Sequence, residues 1–342
     1  MGEIRMRKRV VIAVELVSLL LAVCLVGCTP PTTPPPATDV PTEVEPTSVP
    51  TDTPIPTEVK PAGQWEVVLQ SEAEQPIRMA AFLDETFGVT GGATGAGKAH
   101  YTADGGATWT MAEGSGGCLY GVEIVDAQTV WVCGRMVGAS FSTPGGIRMS
   151  ADGGQTWNEQ TAYQTTPGFC PLSFLDAQTG WAVNGGTLIA TTDGATWDEV
   201  TLPDGLTKIA AISLLAPGEG YVLDGAGDLY VTLDGGESWS SQTLGLGERY
   251  GEMKLMPSDE FAGAAMRFLD ANHGIVILSL AGGGESKIVA LRTTDGGQTW
   301  EEETIPAEIG APYLTHDGML LTVSSFLNIG EITVLRYVDG GD

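Results

Sequence analysis

Beyond residue 76 the apolar positions come in short bursts, alternating with polar ones and closed by clusters of Gly, Asp, Ser and Thr. Period-two alternation bounded by turn residues predicts half-buried β-strands. The bursts fall in fours. The first group covers 77–83, 86–91, 98–102 and 109–112, and the second 119–125, 130–134, 146–150 and 157–161. The third covers 171–175, 180–184, 187–191 and 197–201, and the fourth 208–214, 219–223, 228–232 and 239–243. The fifth covers 264–269, 274–279, 287–293 and 300–304. A sixth group, 312–315, 319–324 and 331–338, runs out before its fourth member. That member stands at the other end of the chain, as Gln64-Trp65-Glu66-Val67-Val68-Leu69. The expected architecture is therefore an all-β ring of six four-stranded antiparallel blades, closed by its N-terminal strand, which removes the sheet edges that invite aggregation.

The last two strands of each group are joined by one recurring phrase. It reads T-A-D-G-G-A-T-W at Thr102–Trp109, S-A-D-G-G-Q-T-W at Ser150–Trp157, T-L-D-G-G-E-S-W at Thr232–Trp239 and T-T-D-G-G-Q-T-W at Thr293–Trp300. A copy one glycine shorter, T-T-D-G-A-T-W, occupies Thr191–Trp197, and Val338–Asp342 begins a further one. The short Asp side chain can accept backbone N–H bonds within a tight turn, and the glycines permit positive φ. Trp opens the next strand with a large apolar surface. Asp104, Trp109, Asp152, Trp157, Asp193, Trp197, Asp234, Trp239, Asp295 and Trp300 are thus expected to be structural. The five aspartates step by 48, 41, 41 and 61 residues, a propeller period with one insertion. That insertion, about 20 residues, is too short for a seventh blade. A second phrase, Phe82-Leu83-Asp84 and its counterparts Ile124-Val125-Asp126, Phe174-Leu175-Asp176 and Phe268-Leu269-Asp270, marks the turn between the first two strands.

These residues resemble the Asp-box, or BNR, repeat of β-propellers. The double-glycine form, coming after a segment such as Gly180–Ala190, resembles the photosystem II assembly and stability factor group; secreted sialidases share a looser version. The resemblance covers Trp65 to Asp342. It implies a propeller and, from the photosystem group, a part in membrane-complex biogenesis.

The N-terminus changes the setting. Arg5, Arg7, Lys8 and Arg9 precede an apolar stretch, Leu16–Val26, too short for a comfortable membrane span. Leu25-Val26-Gly27-Cys28 resembles a bacterial lipobox, which implies lipidation of Cys28 as the mature N-terminus. The expected division is a signal peptide over 1–27, a tether over 28–61 and the propeller over 62–342. Residues 29–61 hold eleven prolines and nine threonines, a composition that favours an extended, semi-rigid spacer over a core. The expected location is the extracytoplasmic face of the cell membrane, with the lipid as the only membrane contact. The whole chain carries a formal charge of −27, and removal of residues 1–27 makes it −29. Such acidity disfavours nucleic acid and anionic lipid as partners. Of five cysteines, Cys118, Cys133 and Cys170 remain in the mature body, enough for one disulfide without indicating which. No cofactor or metal is expected, and the expected form is a monomer.

Function is expected on one rim. First–second and third–fourth turns share a face and barely vary. Extra length collects on the opposite face, at 91–97, 135–145, 158–168, 244–262 and 281–285, and variable loops on a rigid frame are where binding usually resides. Arg135, Phe141, Tyr163, Arg249, Tyr250 and Lys254 are the candidate anchors there, being types enriched at protein interfaces, together with Met136 and Met253. The leading expectation is a non-catalytic scaffold for protein partners; a carbohydrate-binding or adhesion module and a sialidase-like or other glycoside hydrolase are the alternatives. A sialidase would need three converging arginines and a Tyr–Glu pair. Arg78 and Arg267 lie on first strands, and Arg249, Tyr250 and Glu252 are loop neighbours. Strand alternation sets Arg78 and Arg267 on opposite faces of their sheets. Gly92–Lys98 fits most of a P-loop, but Ala99 stands where a hydroxyl is needed and a strand comes next. Asp224–Asp228 lacks the ligand spacing of a calcium loop and predicts a hairpin.

Overall fold

The computed structural model describes residues 63–73, 77–92, 98–115, 117–135, 145–160, 170–206, 208–256, 263–328 and 330–339. The expectations for 1–27 and 28–61, Cys28 among them, lie outside these residues. The first element among these residues is β1 (Gln64–Glu72). Blade one is β2 (Ile77–Phe82), β3 (Gly88–Gly92), β4 (Ala99–Thr102) and β5 (Thr110–Met111). Blade two is β6 (Gly117–Ile124), β7 (Val130–Arg135), β8 (Gly145–Ser150) and β9 (Asn158–Glu159). Blade three is β10 (Leu172–Phe174), β11 (Gly180–Asn184), β12 (Thr187–Thr191) and β13 (Asp198–Val200). Blade four is β14 (Ile209–Ala216), β15 (Glu219–Asp224), β16 (Asp228–Thr232) and β17 (Ser240–Thr243). A short helix, α1 (Leu246–Tyr250), and a two-residue strand, β18 (Lys254–Leu255), precede blade five. That blade is β19 (Ala264–Phe268), β20 (Gly274–Gly282), β21 (Glu285–Thr293) and β22 (Glu301–Thr304). Blade six is β23 (Gly310–Leu314), β24 (Leu320–Ser325) and β25 (Glu331–Val338), completed by β1 in the order β1-β25-β24-β23. The protein is a six-bladed β-propeller.

The ring closes through its own ends. β1 runs antiparallel to β25 from Gln64↔Val338 to Glu72↔Glu331, with a bulge between Val67 and Leu69. β23 starts two residues earlier than the sequence suggests and contains Pro312. A proline is tolerated there because the innermost strand pairs on one side only.

The recurring phrase builds the same turn each time. Thr102 Oγ1 donates to Asp104 Oδ1 at 2.8 Å and accepts from Gly106 N at 2.8 Å. Asp104 also accepts from Thr108 N and Thr108 Oγ1, at 2.9 and 2.6 Å. Those bonds, the Thr108 hydroxyl first, hold the Asp104 carboxyl down at about 2. The set recurs at Asp152, Asp234 and Asp295. At Asp193 the turn is tightened: Thr191 Oγ1 takes Gly194 N, and the carboxylate takes Ala195 N and Thr196 N. Gly105 and Gly106 have φ of 71° and 75°, so both need glycine.

Four of the phrases are bolted to the neighbouring turn of their own blade. Gly105 N donates to Thr86 O, Gly153 N to Gln128 O, Gly235 N to Gly218 O and Gly296 N to Asn272 O. The Asp84, Asp126, Asp176 and Asp270 side chains close those turns by accepting two backbone N–H bonds apiece. One rim is thereby fixed by turn chemistry. The Trp of each phrase packs into a seam between blades: Trp157 into the cluster of Met79 and Val89, Trp239 against Trp181, Trp300 against Tyr221 and Phe268. Trp197 meets Trp131 edge-on at 6.3 Å, and Trp109 meets Phe82 at 5.8 Å. Trp65 fills the last seam, donating to Glu303 at 2.9 Å and packing on Tyr337. The closing strand therefore carries the sixth wedge.

Candidate functional site

Two places collect chemistry: the axis and the rim opposite the Asp-Gly-Gly turns. Around the axis, side-chain hydroxyls tie innermost strands to other blades. Ser173 Oγ accepts from Leu214 N and Ser213 Oγ from Phe268 N, both at 2.9 Å. Thr322 Oγ1 accepts from Phe82 N, and Tyr313 Oη from Ile124 N. Among these hydroxyls lie two charges. Glu123 and Arg267 stand at the same repeat position, just before the Ile124 and Phe268 phrases, on blades two and five, which face each other across a six-membered ring. Arg267 Nη2 meets Glu123 Oε1 at 2.8 Å; its guanidinium also reaches Leu314 O and Ser173 Oγ. His316 Nε2 lies 2.9 Å from the same Glu123 oxygen. Burial pushes the Glu123 carboxyl up, but Arg267 and His316 together outweigh it and hold the group below its ordinary value.

The ion pair partitions the axis. On one side the early residues of the innermost strands, among them Met79, Tyr120, Leu172, Ile212 and Met266, wall a cavity of about 70 Å³ floored by Glu123 and Arg267. That volume admits only a few waters. On the other side Leu175, Leu215, Leu269, His316 and Arg267 line an open depression at the Asp-Gly-Gly rim. Arg78 places its guanidinium 5.4 Å over the Tyr120 ring, while Arg267 is spent on its carboxylate and on Leu314 and Ser173.

The opposite rim carries the insertion between blades four and five. Leu244 N donates to Gly227 O in the β15–β16 hairpin, and Leu246 sits on Gly227, where a Cβ would lie 2.5 Å from its side chain. Leu246, Tyr250, Met253 and Leu255 pack on the core shared by blades four and five. Arg249, an exposed residue, donates to Leu244 O and Trp300 O at 3.0 and 3.1 Å. Tyr250 Oη donates to Glu302 at 2.9 Å, and Lys287 lies 4.3 Å over its ring. Burial, then that bond, raise the Tyr250 phenol. Lys254 pairs with Ala281, and its side chain is exposed. Arg135 ends β7 opposite Gly145. Phe141, Tyr163 and Met136 lie outside the described residues, as does most of the 92–98 segment. Asp224 Oδ1 accepts from Ala226 N and Asp228 N, closing the hairpin expected there.

Cys133 and Cys170 form a disulfide, joining β7 of blade two to the residue ahead of Pro171 and β10. Composition left that pairing open. The axial pair was also missed. Its signal lies in the repeat alignment, where Ala81, Glu123, Ser173, Ser213 and Arg267 occupy one inward-facing position and the two charges stand three blades apart.

No family profile matches the chain, and no curated protein matches it in sequence. Among solved structures, YCF48 bound to D1 peptide is similar at 17% identity and a TM-score of 0.46, over 80% of this chain and 95% of that one. YCF48 from Cyanidioschyzon merolae gives 16% identity and 0.44, over 81% and 98%. The WD40 propeller domain of Doa1 gives 11% identity and 0.48, over 80% and 97%.

Proposed function

We propose that the protein is a lipid-anchored, extracytoplasmic scaffold that binds protein partners through the rim opposite the Asp-Gly-Gly turns, without catalysis. The observation that carries this reading is the asymmetry of the disc. One rim has its backbone groups and carboxylates committed to repeated turns around one axial depression, whereas the other carries the described part of the 244–262 insertion and two depressions flanking 305–309. β1 begins at the committed rim, where Gln64 pairs with Val338 beside Asp339. The sequence resemblance to photosystem assembly factors supplies the partner class, polypeptides of a membrane complex under assembly. The axial cavity is too narrow for a sugar ring, which weighs against the glycosidase alternative.

Site-specific photocrosslinking in intact cells tests the rim. A photoreactive residue at Leu327 or Glu308, both exposed on the loop rim, is expected to capture discrete polypeptides. The same group at Leu233, exposed at an Asp-Gly-Gly turn, is expected to capture none. Equal capture from both rims would remove the assignment. The anchor is tested separately: Cys28→Ser is expected to abolish labelling by a fatty-acid analogue and move the protein from membrane to soluble fractions.

A further inference from the structure

The loop rim contains one seam that the chain fills itself and one that it leaves open. Between blades four and five, α1 and the residues after it lay Leu246, Tyr250 and Met253 over the apolar core, with Arg249 capping two carbonyls and Tyr250 bonded to Glu302. Between blades five and six, Pro306 and Glu308 of the connection 305–309 are exposed among the described residues. Depressions of about 470 and 480 Å³ flank it, against about 70 Å³ in the axial cavity. Apolar side chains form part of each lining: Ile305, Ala307 and Val323 in the first, beside Gln70, Ser325 and Thr333, and Ile288, Ile305 and Ile309 in the second. Leu327 stands at the second with 65% of its surface exposed.

The charge of this seam is one-sided. Glu308 borders both depressions, Glu331 the first and Glu302 the second. The lining of the first holds no Lys or Arg. The single cation of the second, Lys287, is engaged by Glu302 at 3.1 Å and by the Tyr250 ring. Glu308 and Glu331, with no cation paired to them among the described residues, flank these apolar side chains and select an apolar group flanked by cations. The geometry points to a docking groove at the blade five–six seam for a short extended peptide segment of a partner protein, in which apolar residues alternate with Lys or Arg. This deepens the protein-binding reading and rests on it: the floor takes the apolar side chains, and Glu308 and Glu331 take the cationic ones.

The probe is a fluorescein-labelled peptide of alternating Lys and Leu, compared with its Glu-Leu counterpart by anisotropy at physiological salt. The Lys-Leu peptide is expected to bind and the Glu-Leu peptide to fail. Glu308→Lys combined with Glu331→Lys is expected to weaken binding at least tenfold, as is Ala307→Trp, which occupies the floor. Glu237→Lys, an exposed reversal at an Asp-Gly-Gly turn, is expected to change binding less than twofold. If reversals on both rims weaken binding alike, the attraction belongs to the acidic surface as a whole and the groove is discarded. No binding by the Lys-Leu peptide discards it as well. Should Ala307→Trp lose its thermal transition, the paired reversal of two exposed side chains still decides. Loop-rim crosslinks from intact cells without this peptide preference would remove the groove and leave the scaffold reading standing.

Discussion

The axial ion pair gives the sharpest quantitative test of the structure. Glu123 is 2% exposed and Arg267 6%, and the bond between them joins opposite blades. Replacing Arg267 by Met keeps the volume and leaves Glu123 buried, with only His316 beside it. Breaking one partner of a buried pair costs about 3–5 kcal/mol, because the surviving charge is uncompensated. In a domain of this size that lowers the melting temperature by roughly 6–20 °C. Removing both charges, as Glu123→Leu with Arg267→Met, is expected to restore stability to within about 1 kcal/mol of the parent. The pH dependence comes from the direction of the Glu123 shift. In the parent, Arg267 and His316 hold the folded carboxyl below its unfolded value, so the pair stabilises above the unfolded pKa and that contribution fades as pH falls through the folded one. Without Arg267, burial dominates and the folded carboxyl moves up, so the variant is penalised at neutral pH and relieved as Glu123 takes a proton. The gap between parent and variant is therefore expected to be widest near neutrality and to narrow as the solution becomes acidic. Urea melts from acid to neutral pH measure both. A loss under about 1 kcal/mol at neutral pH, or a gap that does not change with pH, would refute the argument that Glu123 is a buried anion held by Arg267.

Three further outcomes are expected. Cys133→Ser opens a bridge spanning 37 residues, and the loop-closure term puts its loss at about 3–4 kcal/mol; denaturation midpoints with and without reductant check this, since the variant should no longer respond to reductant. Thr293→Val removes the acceptor of the buried Gly297 N–H and is expected to cost about 1–3 kcal/mol, while Thr293→Ser retains most of the stability in a thermal melt. Deleting residues 63–72 uncovers the whole edge of β25 and the seat of Trp65, so light scattering after size exclusion should show larger species than the parent gives.

What the sequence conveys and what it hides divide along the range of the interactions. The blades were legible because alternation and Asp-Gly-Gly turns act over a few residues. Closure was legible because Trp65–Leu69 has the pattern of the strand after each Asp-Gly-Gly turn elsewhere in the chain. Arg249 and Tyr250 were recognised as interface types, yet residue type does not say what they face. Their partners, Trp300 O and Glu302, lie 51 and 52 residues away, and the insertion that carries them folds back onto its own propeller. A five-residue helix after Gly245, with a glycine at its second position, has no helical period to announce it. Glu123 and Arg267 are separated by 144 residues, and only the six-fold register brings them together. The same limit applies to the open seam. Ile305 and Glu308 read locally as an ordinary connection between strands. They become a groove only because β25 and the β24–β25 turn place Leu327 and Glu331 beside them, while the seam one blade earlier is already occupied. The candidate surface therefore depends on which seams the chain covers with its own residues, and that is settled by tertiary packing.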